Sequence, residues 1–413
     1  MHALVLALTL TAAGPRFVED DYPKALARAK AQKKLLFVDA WAPWCHSCLA
    51  MKEHVLSQPS LAAFEKDVVF ASLDTEKTKS AAFLEKFPVE VWPTLFFIDP
   101  GTERVVLKWI GGVDLPQLEA LLTATRGGAG VARDADEAVA KGNWGDAAEK
   151  YRAALDAGQK QPRTALALLS SLYLSRQSEL CARTALDQLP LFTGAQERVV
   201  ALGWGLGCAL ALPESPARTA ALGLLVKEAL PALEAPGVLP DDMSSLYEAL
   251  VEERKAAKDD DGAVTLAKRW LAFLDAEAAK AATPKARAVF DPHRVSAALA
   301  AKTPEVMVEP LLRSEKELPG DYNPPARLAL IYRELGRHPE ALQAIDRALA
   351  KCTEGPRKLR LFETKASILE KQGDAKARAQ TLEAAVRWAK KLPRAQVSQK
   401  RIEALEAQLA AAK

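Results

Sequence analysis

Cys45 and Cys48 stand three residues apart in the stretch WAPWCHSCLAM, Trp41–Met51. Three chemistries fit that spacing: a reversible disulfide, half of a metal site, or two inert buried side chains. An apolar run, KKLLFVDA, precedes the pair and reads as a strand. A short link containing Pro43 follows it, then a helical pattern. A helix opening at Cys45 would aim unsatisfied backbone N–H groups and the positive end of its dipole at that sulfur. The thiolate is the nucleophile in disulfide exchange, so this position activates it. Cys48 would lie on the same helical face one turn on, within bridging reach. Cys45 is then the exposed attacking sulfur, and Cys48 resolves the mixed disulfide from further inside. A structural zinc site needs four ligands. No second C-x-x-C exists, and His46 and His54 have no recognisable finger spacing. No metal is therefore expected here, and no cofactor beyond the cysteine pair itself.

The elements that must position this pair occupy the first third of the chain. Four runs rich in Val, Ile, Phe and Trp read as strands: LLFVDAWA, VVFASLD, TLFFIDP and RVVLKWIGG. Helical patterns alternate with them, which indicates an α/β layer architecture. The tight turn Asp99–Glu103 makes the last two strands an antiparallel hairpin.

Composition narrows the rest. Of 413 residues, 49% are hydrophobic and 26% charged, and the formal charge is only +3, which gives no electrostatic case for nucleic acid. Five cysteines are too few for a disulfide framework; Cys181, Cys208 and Cys352 read as single buried apolar residues. The run Ala3–Ala13 with small residues at Thr11 and Ala13 has the layout of a secretory leader over residues 1–14, although no Lys or Arg precedes it. It is too short to span a bilayer, as is Val199–Leu212, which reads as a tightly packed interior helix. An integral membrane segment is not expected.

After Gly130 strand signals vanish and a repeat emerges. Gly142, Ala147, Tyr151 and Ala154 recur as Gly336, Ala341, Ile345 and Ala348, and as Gln177, Ala182, Leu186 and Leu189. Gly142 and Gln177 are 35 residues apart, Gly336 and Gly373 37. A small residue reverses the chain, and alanines let paired helices approach. NPPARLALIYRELGRHPEALQAIDRAL resembles the tetratricopeptide repeat (TPR). Six or seven hairpins are expected, with a poor match over Gln196–Lys302. KDDDGA, Lys258–Ala263, reads as a hairpin turn, and Trp144, Trp204, Trp270 and Trp388 as core.

FVDAWAPWCHSC resembles the thioredoxin active-site signature, and Phe17–Thr125 as a whole resembles a thioredoxin-fold domain. The layout from Ala25 to Phe64 is most similar to the C-terminal domain of DsbD and related exported proteins. The resemblance implies that Asp39 is a partly buried carboxylate moving protons to and from Cys48. It implies that Pro93, in VWPT, is a cis-proline facing the cysteines, with Trp44, His46 and Trp92 lining the substrate face. His46-Ser47 replaces the Gly-Pro of thioredoxin, and a cationic His46 would stabilise a Cys45 thiolate. Where thioredoxins often place a lysine near the aspartate on the next strand, this chain has Phe70.

The expected fold class is multidomain: an α/β thioredoxin fold over 15–126, then an all-α helical-hairpin, TPR-like solenoid over 127–413. The expected function is thiol–disulfide oxidoreduction on protein disulfides or dithiols, served by a redox partner, with a peptide or protein docked in the TPR groove. The alternative is a non-catalytic scaffold or chaperone that uses the thioredoxin fold as a peptide platform. The leader and the Ala- and Arg-rich usage suggest the periplasm or envelope of a bacterium; without export the location is cytoplasmic.

Overall fold

The structure, a computed structural model, describes residues 14–126 and 132–412. The expected leader lies outside the described residues except for Gly14.

Five strands form one mixed sheet: β1 Phe17–Glu19, β2 Leu35–Trp41, β3 Val68–Asp74, β4 Thr94–Asp99 and β5 Arg104–Ile110, in the order β1-β3-β2-β4-β5. β1 and β2 run parallel to β3, while β2–β4 and β4–β5 are antiparallel. The four strand runs read from sequence are all present. β1 is additional; at three residues it is too short to show a period. The β4–β5 turn is held by Asp99, whose Oδ1 accepts from the N–H groups of Gly101 and Thr102.

Alternation along β2 sorts its side chains between two cores. Leu36, Val38 and Ala40 face α1 (Tyr22–Gln32) and α3 (Ala81–Lys86), packing with Ala25, Ala29 and Phe83. Phe37 faces the other side, where Met51 of α2 (His46–His54) and Leu118 and Leu122 of α4 (Leu115–Arg126) close the layer. Asp39, two residues after Phe37, shares the face covered by α2.

From Arg133 to Ala411 the described chain is helical, in antiparallel hairpins. The turns share one geometry: a residue with positive φ, followed by one whose N–H reaches the carbonyl five residues back. Gly142, Arg176, Lys258, Lys302, Gly336 and Gly373 occupy that position. Gly142 and Arg176 are 34 residues apart, as are Lys302 and Gly336. The sequence register at the second repeat is thus one residue late. Arg176, not Gln177, matches Gly142, and buried Cys181 and Ala185 take the places assigned to Ala182 and Leu186. In the region that matched poorly the turn read at KDDDGA is present at Lys258, while the one at Lys302 carries no glycine signal; both lysines adopt a conformation that costs a non-glycine residue about 1 kcal/mol.

Cys181 and Cys208 are both buried, as expected, but they are not separate: a disulfide joins helix Ser178–Gln188 to helix Ala195–Leu210. Hairpin pairing brings residues 27 apart in sequence face to face. Cys352 remains a free, buried thiol, and burial pushes its pKa up to about 12. Val199–Leu212 lies almost wholly in the interior helix expected of it; a Cβ on Gly205 would meet Ala185 at 2.7 Å and Leu225 at 2.8 Å. Asp259 of KDDDGA caps the next helix by accepting from Gly262 N–H at 2.9 Å.

Candidate active site

Cys45 is the N-cap of α2. Its Sγ accepts the Cys48 N–H at 3.0 Å, and the two cysteines are joined in a disulfide with Cα atoms 5.2 Å apart. The helix starts here because Pro43 and Trp44 turn the chain out of β2: Cys45 N–H bonds back to Ala42 O at 3.1 Å. Cys45 and Cys48 pack with Ala42 among three indoles, Trp41, Trp44 and Trp92.

Beneath the pair, Asp39 is fully buried. Burial pushes its pKa up to about 6, against the opposing pull of Lys52. Lys52 Nζ lies 3.8 Å from Asp39 Oδ2, donates to Ser72 Oγ at 2.5 Å and rests over the Trp41 ring. Asp39 Oδ1 has no hydrogen-bond partner among the described residues. The cation that Phe70 fails to supply from β3 comes instead from α2, one turn after Cys48. Sequence reasoning missed Lys52. Its signal was available: the i,i+4 relation puts Cys48 and Lys52 on one face.

The Trp92–Pro93 peptide is cis. Trp92 Nε1 donates to Thr75 Oγ1 at 2.8 Å, Trp44 Nε1 donates to Glu76 Oε1 at 2.7 Å, and the two indoles meet edge to face at 5.2 Å. His46 turns away from this cluster to Asp241 of helix Pro240–Ala256, with Nδ1 at 2.8 Å from Oδ1. Burial works against a charge on His46, but the Asp241 carboxylate more than offsets it and the pKa is raised. Burial likewise opposes ionisation of Asp241; His46 and His293 overcome it and hold the carboxyl well below its usual range.

The expectation that Cys45 is exposed is not met: it is 5% exposed. The helical array folds back over the site. Asn323 Nδ2 donates to Pro43 O at 3.0 Å, and Arg357 lies over the Trp44 ring with its backbone N–H on Glu76 Oε2 at 2.7 Å. Gln396 Nε2, from the loop between helices Ala375–Ala389 and Gln399–Ala411, donates to the carbonyls of Thr75 and Lys77. Gly355 approaches so closely that a Cβ would stand 2.3 Å from Glu76, and its φ is +86°. None of these contacts has a local sequence signature, because each joins residues 195 or more apart.

Two cavities reach Trp92, the residue before the cis-proline; the first, of about 700 Å³, is also lined by Trp44, Glu76, Arg357 and Gln396. The second, of about 580 Å³, lies between β5 and the array, bounded by Ser47, Trp92 and Trp109 on one side and Tyr173, Trp204 and Asp242 on the other.

Sheet order, cis-proline and a disulfide at a helix start define a thioredoxin-like domain, followed by a TPR-like helical solenoid. Known proteins agree for the first part: residues 18–100 match a family model described as thioredoxin-like. The chain is 33% identical over 106 residues to the thiol:disulfide interchange protein DsbD 2 of Pseudomonas aeruginosa, over 25% of this chain and 18% of that protein. It is 31% identical over 88 residues to an H-type thioredoxin of Oryza sativa subsp. indica, over 21% of this chain and 66% of that protein. The chain thus spans less than a fifth of the DsbD protein it matches. Among solved structures, a tetratricopeptide repeat protein from Parabacteroides merdae is similar over 68% of this chain and 97% of its own, with 11% identity and a TM-score of 0.44. No helix among the described residues is long and apolar enough to cross a membrane.

Proposed function

We propose that this chain is a thiol–disulfide oxidoreductase acting on protein disulfides or dithiols through Cys45 and Cys48. The observation that carries this reading is the Cys45–Cys48 disulfide at the start of α2, above a buried Asp39 whose pKa lies near neutrality. In the reducing direction the Cys45 thiolate attacks one sulfur of a substrate disulfide. The Cys45–substrate bond forms, and the other substrate sulfur leaves as a thiolate and takes a proton. Asp39 accepts the proton of Cys48, whose sulfur then attacks Cys45 Sγ. The internal disulfide closes, the second substrate thiol departs, and two electrons have passed to the substrate. A redox partner reverses these steps. Trp44, Trp92 and cis-Pro93 form the substrate face, with both indoles half-buried and Pro93 buried, and the backbone before Pro93 would pair with an extended strand once the array gives way.

The array serves to dock and select the partner. Its helices cover Cys45, and the aromatic cavity beside Pro93 leads between the two parts of the chain. An oxidising compartment suits this activity, and the Cys181–Cys208 disulfide supports such a location. The burial of Cys45 favours a second reading, a scaffold that never turns over.

Trapping separates the two. Cys48→Ser should accumulate a mixed disulfide through Cys45 in the native host, and Cys45→Ser should not. Equal recovery from both variants would overturn the assigned roles, and recovery from neither would favour the scaffold.

A further inference from the structure

Two of the chain's five histidines contact one buried carboxylate, a third lines a cavity against it, and the redox steps use none of them. His46 comes from α2, Asp241 from helix Pro240–Ala256 and His293 from helix Asp291–Ala300. His46 Nδ1 and His293 Nε2 stand 2.8 Å and 3.1 Å from the same oxygen, Asp241 Oδ1. All three potential ligand atoms lie within 4.8 Å of one another. His293 and Asp241 are screened from solvent, and His293 has Trp270 as an apolar neighbour.

We propose that His46, Asp241 and His293 bind one divalent transition-metal ion of the zinc class, at the junction of the thioredoxin-like domain and the helical array. Ligand atoms about 2.0–2.2 Å from a tetrahedral ion stand roughly 3.3 Å apart. The two short separations here therefore need to widen by only a few tenths of an ångström. Two imidazole nitrogens with one carboxylate select a first-row ion rather than magnesium or calcium, which favour oxygen ligands. Three protein ligands leave a fourth position open.

A second observation points to that position. A cavity of about 10 Å³, lined by His54, Asp241, His293 and Phe290 among others, lies against the cluster. That is about the space one water molecule requires. His54 Nε2 is buried and has no hydrogen-bond partner among the described residues. A water on the ion's open position would give His54 a partner. A plain hydrogen-bonded His–Asp–His row accounts for the first three residues and leaves His54 unexplained. Ser47 Oγ also contacts a ligand nitrogen, 3.1 Å from His46 Nδ1. A bound ion would tie α2 to two helices of the array and so fasten the cover over Cys45. The inference stands apart from the redox reading, since the cluster is the same whether or not the disulfide turns over.

The test uses the full chain with both disulfides kept oxidised, so that Cys45 and Cys48 offer no thiolate to a metal. Chelator-stripped protein is titrated with Zn²⁺ by calorimetry and with Co²⁺ by visible absorption. One ion per chain should bind, with the intense d–d bands of a four-coordinate, nitrogen-containing site. Asp241→Asn and His293→Gln should each weaken binding at least tenfold, while His338→Gln, in a distant repeat, should change nothing. Asp241→Asn preserves shape and hydrogen bonding, and near-UV circular dichroism verifies that each variant is folded. Absence of stoichiometric uptake by the wild type would overturn the proposal, whatever the variants do. So would undiminished binding in both folded variants, or a cobalt spectrum of all-oxygen ligation.

Discussion

Lys52 is the residue on which the proton chemistry of the site can be tested quantitatively. Its ammonium lies 3.8 Å from Asp39 and is the main cation holding that carboxyl down to about 6 against burial. At an effective dielectric constant of about 20, a pair at this distance interacts by about 4 kcal/mol. That equals about three pKa units. Lys52 keeps 19% of its side-chain exposure, so solvent screens part of this, and half is a reasonable expectation. Lys52→Met retains the stem over Trp41 and removes the charge. Asp39 should then titrate near about 7.5 instead of about 6. Only the ionised carboxylate can take the proton of Cys48, so resolution of a mixed disulfide should begin to accelerate at higher pH. At about pH 6 the variant should be about fifteenfold slower, and by about pH 9 the two rates should converge. A preformed Cys45–thionitrobenzoate adduct reports this step through release of the coloured thiol in stopped flow. Coincident pH midpoints, or a uniform slowing at every pH, would refute the assignment of Asp39 as the proton acceptor and Lys52 as its counter-charge. The same shift bears on stability. Between about pH 4 and about pH 6 the folded chain holds a proton on Asp39 that the unfolded chain has lost. Its contribution is therefore full below about pH 4 and is lost as pH rises through about 6.

Two further outcomes follow from contacts outside the cysteine pair. Asn323→Ala removes the donor to the Pro43 carbonyl, at a cost of about 1–3 kcal/mol to the closed arrangement. Reduction of the Cys45–Cys48 disulfide by a small phosphine should accelerate by about five- to a hundredfold, and an unchanged rate would show that the array does not limit access. The Cys181–Cys208 bridge closes a 27-residue separation and should contribute about 3 kcal/mol. Replacing both cysteines by alanine should lower the urea midpoint of the helical region while leaving the Cys45–Cys48 reaction intact; an unchanged midpoint would contradict this.

The sequence made the chemistry legible where the signal was local. Cys45, Cys48 and Asp39 lie within ten residues of one another; spacing places the two cysteines at a helix start, and the resemblance to thioredoxin singles out Asp39. Pro93 is legible through the resemblance of VWPT to the thioredoxin cis-proline loop, since a proline at the head of a strand is otherwise ordinary. Lys52 was legible in principle, as the residue one turn past Cys48, but attention to β3 concealed it. Turns with glycine are legible, as is the one at Lys258 through KDDDGA; the turn at Arg176 reads one residue late and the one at Lys302 not at all, because a left-handed arginine or lysine leaves no compositional mark. Asp241, His293, Asn323, Arg357 and Gln396 were beyond reach. Each comes near the thioredoxin-like domain only after the array has folded, and none repeats a motif.

That last group changes what the helical region must be. A docking module attached by a linker would leave the disulfide open and hold its partner elsewhere. Here the array meets the thioredoxin-like domain from Glu137, paired with Arg104, to Gln396 in the final loop. Its side chains reach the carbonyl of Pro43, the ring of Trp44 and the imidazole of His46. A substrate approaching Cys45 must therefore displace some of these contacts or enter through one of the two cavities that reach Trp92. Either route makes partner choice a property of both parts of the chain at once, since the groups that admit the substrate are the groups that surround the reacting sulfur. Severing the array should consequently broaden the range of disulfides reduced rather than merely abolish docking.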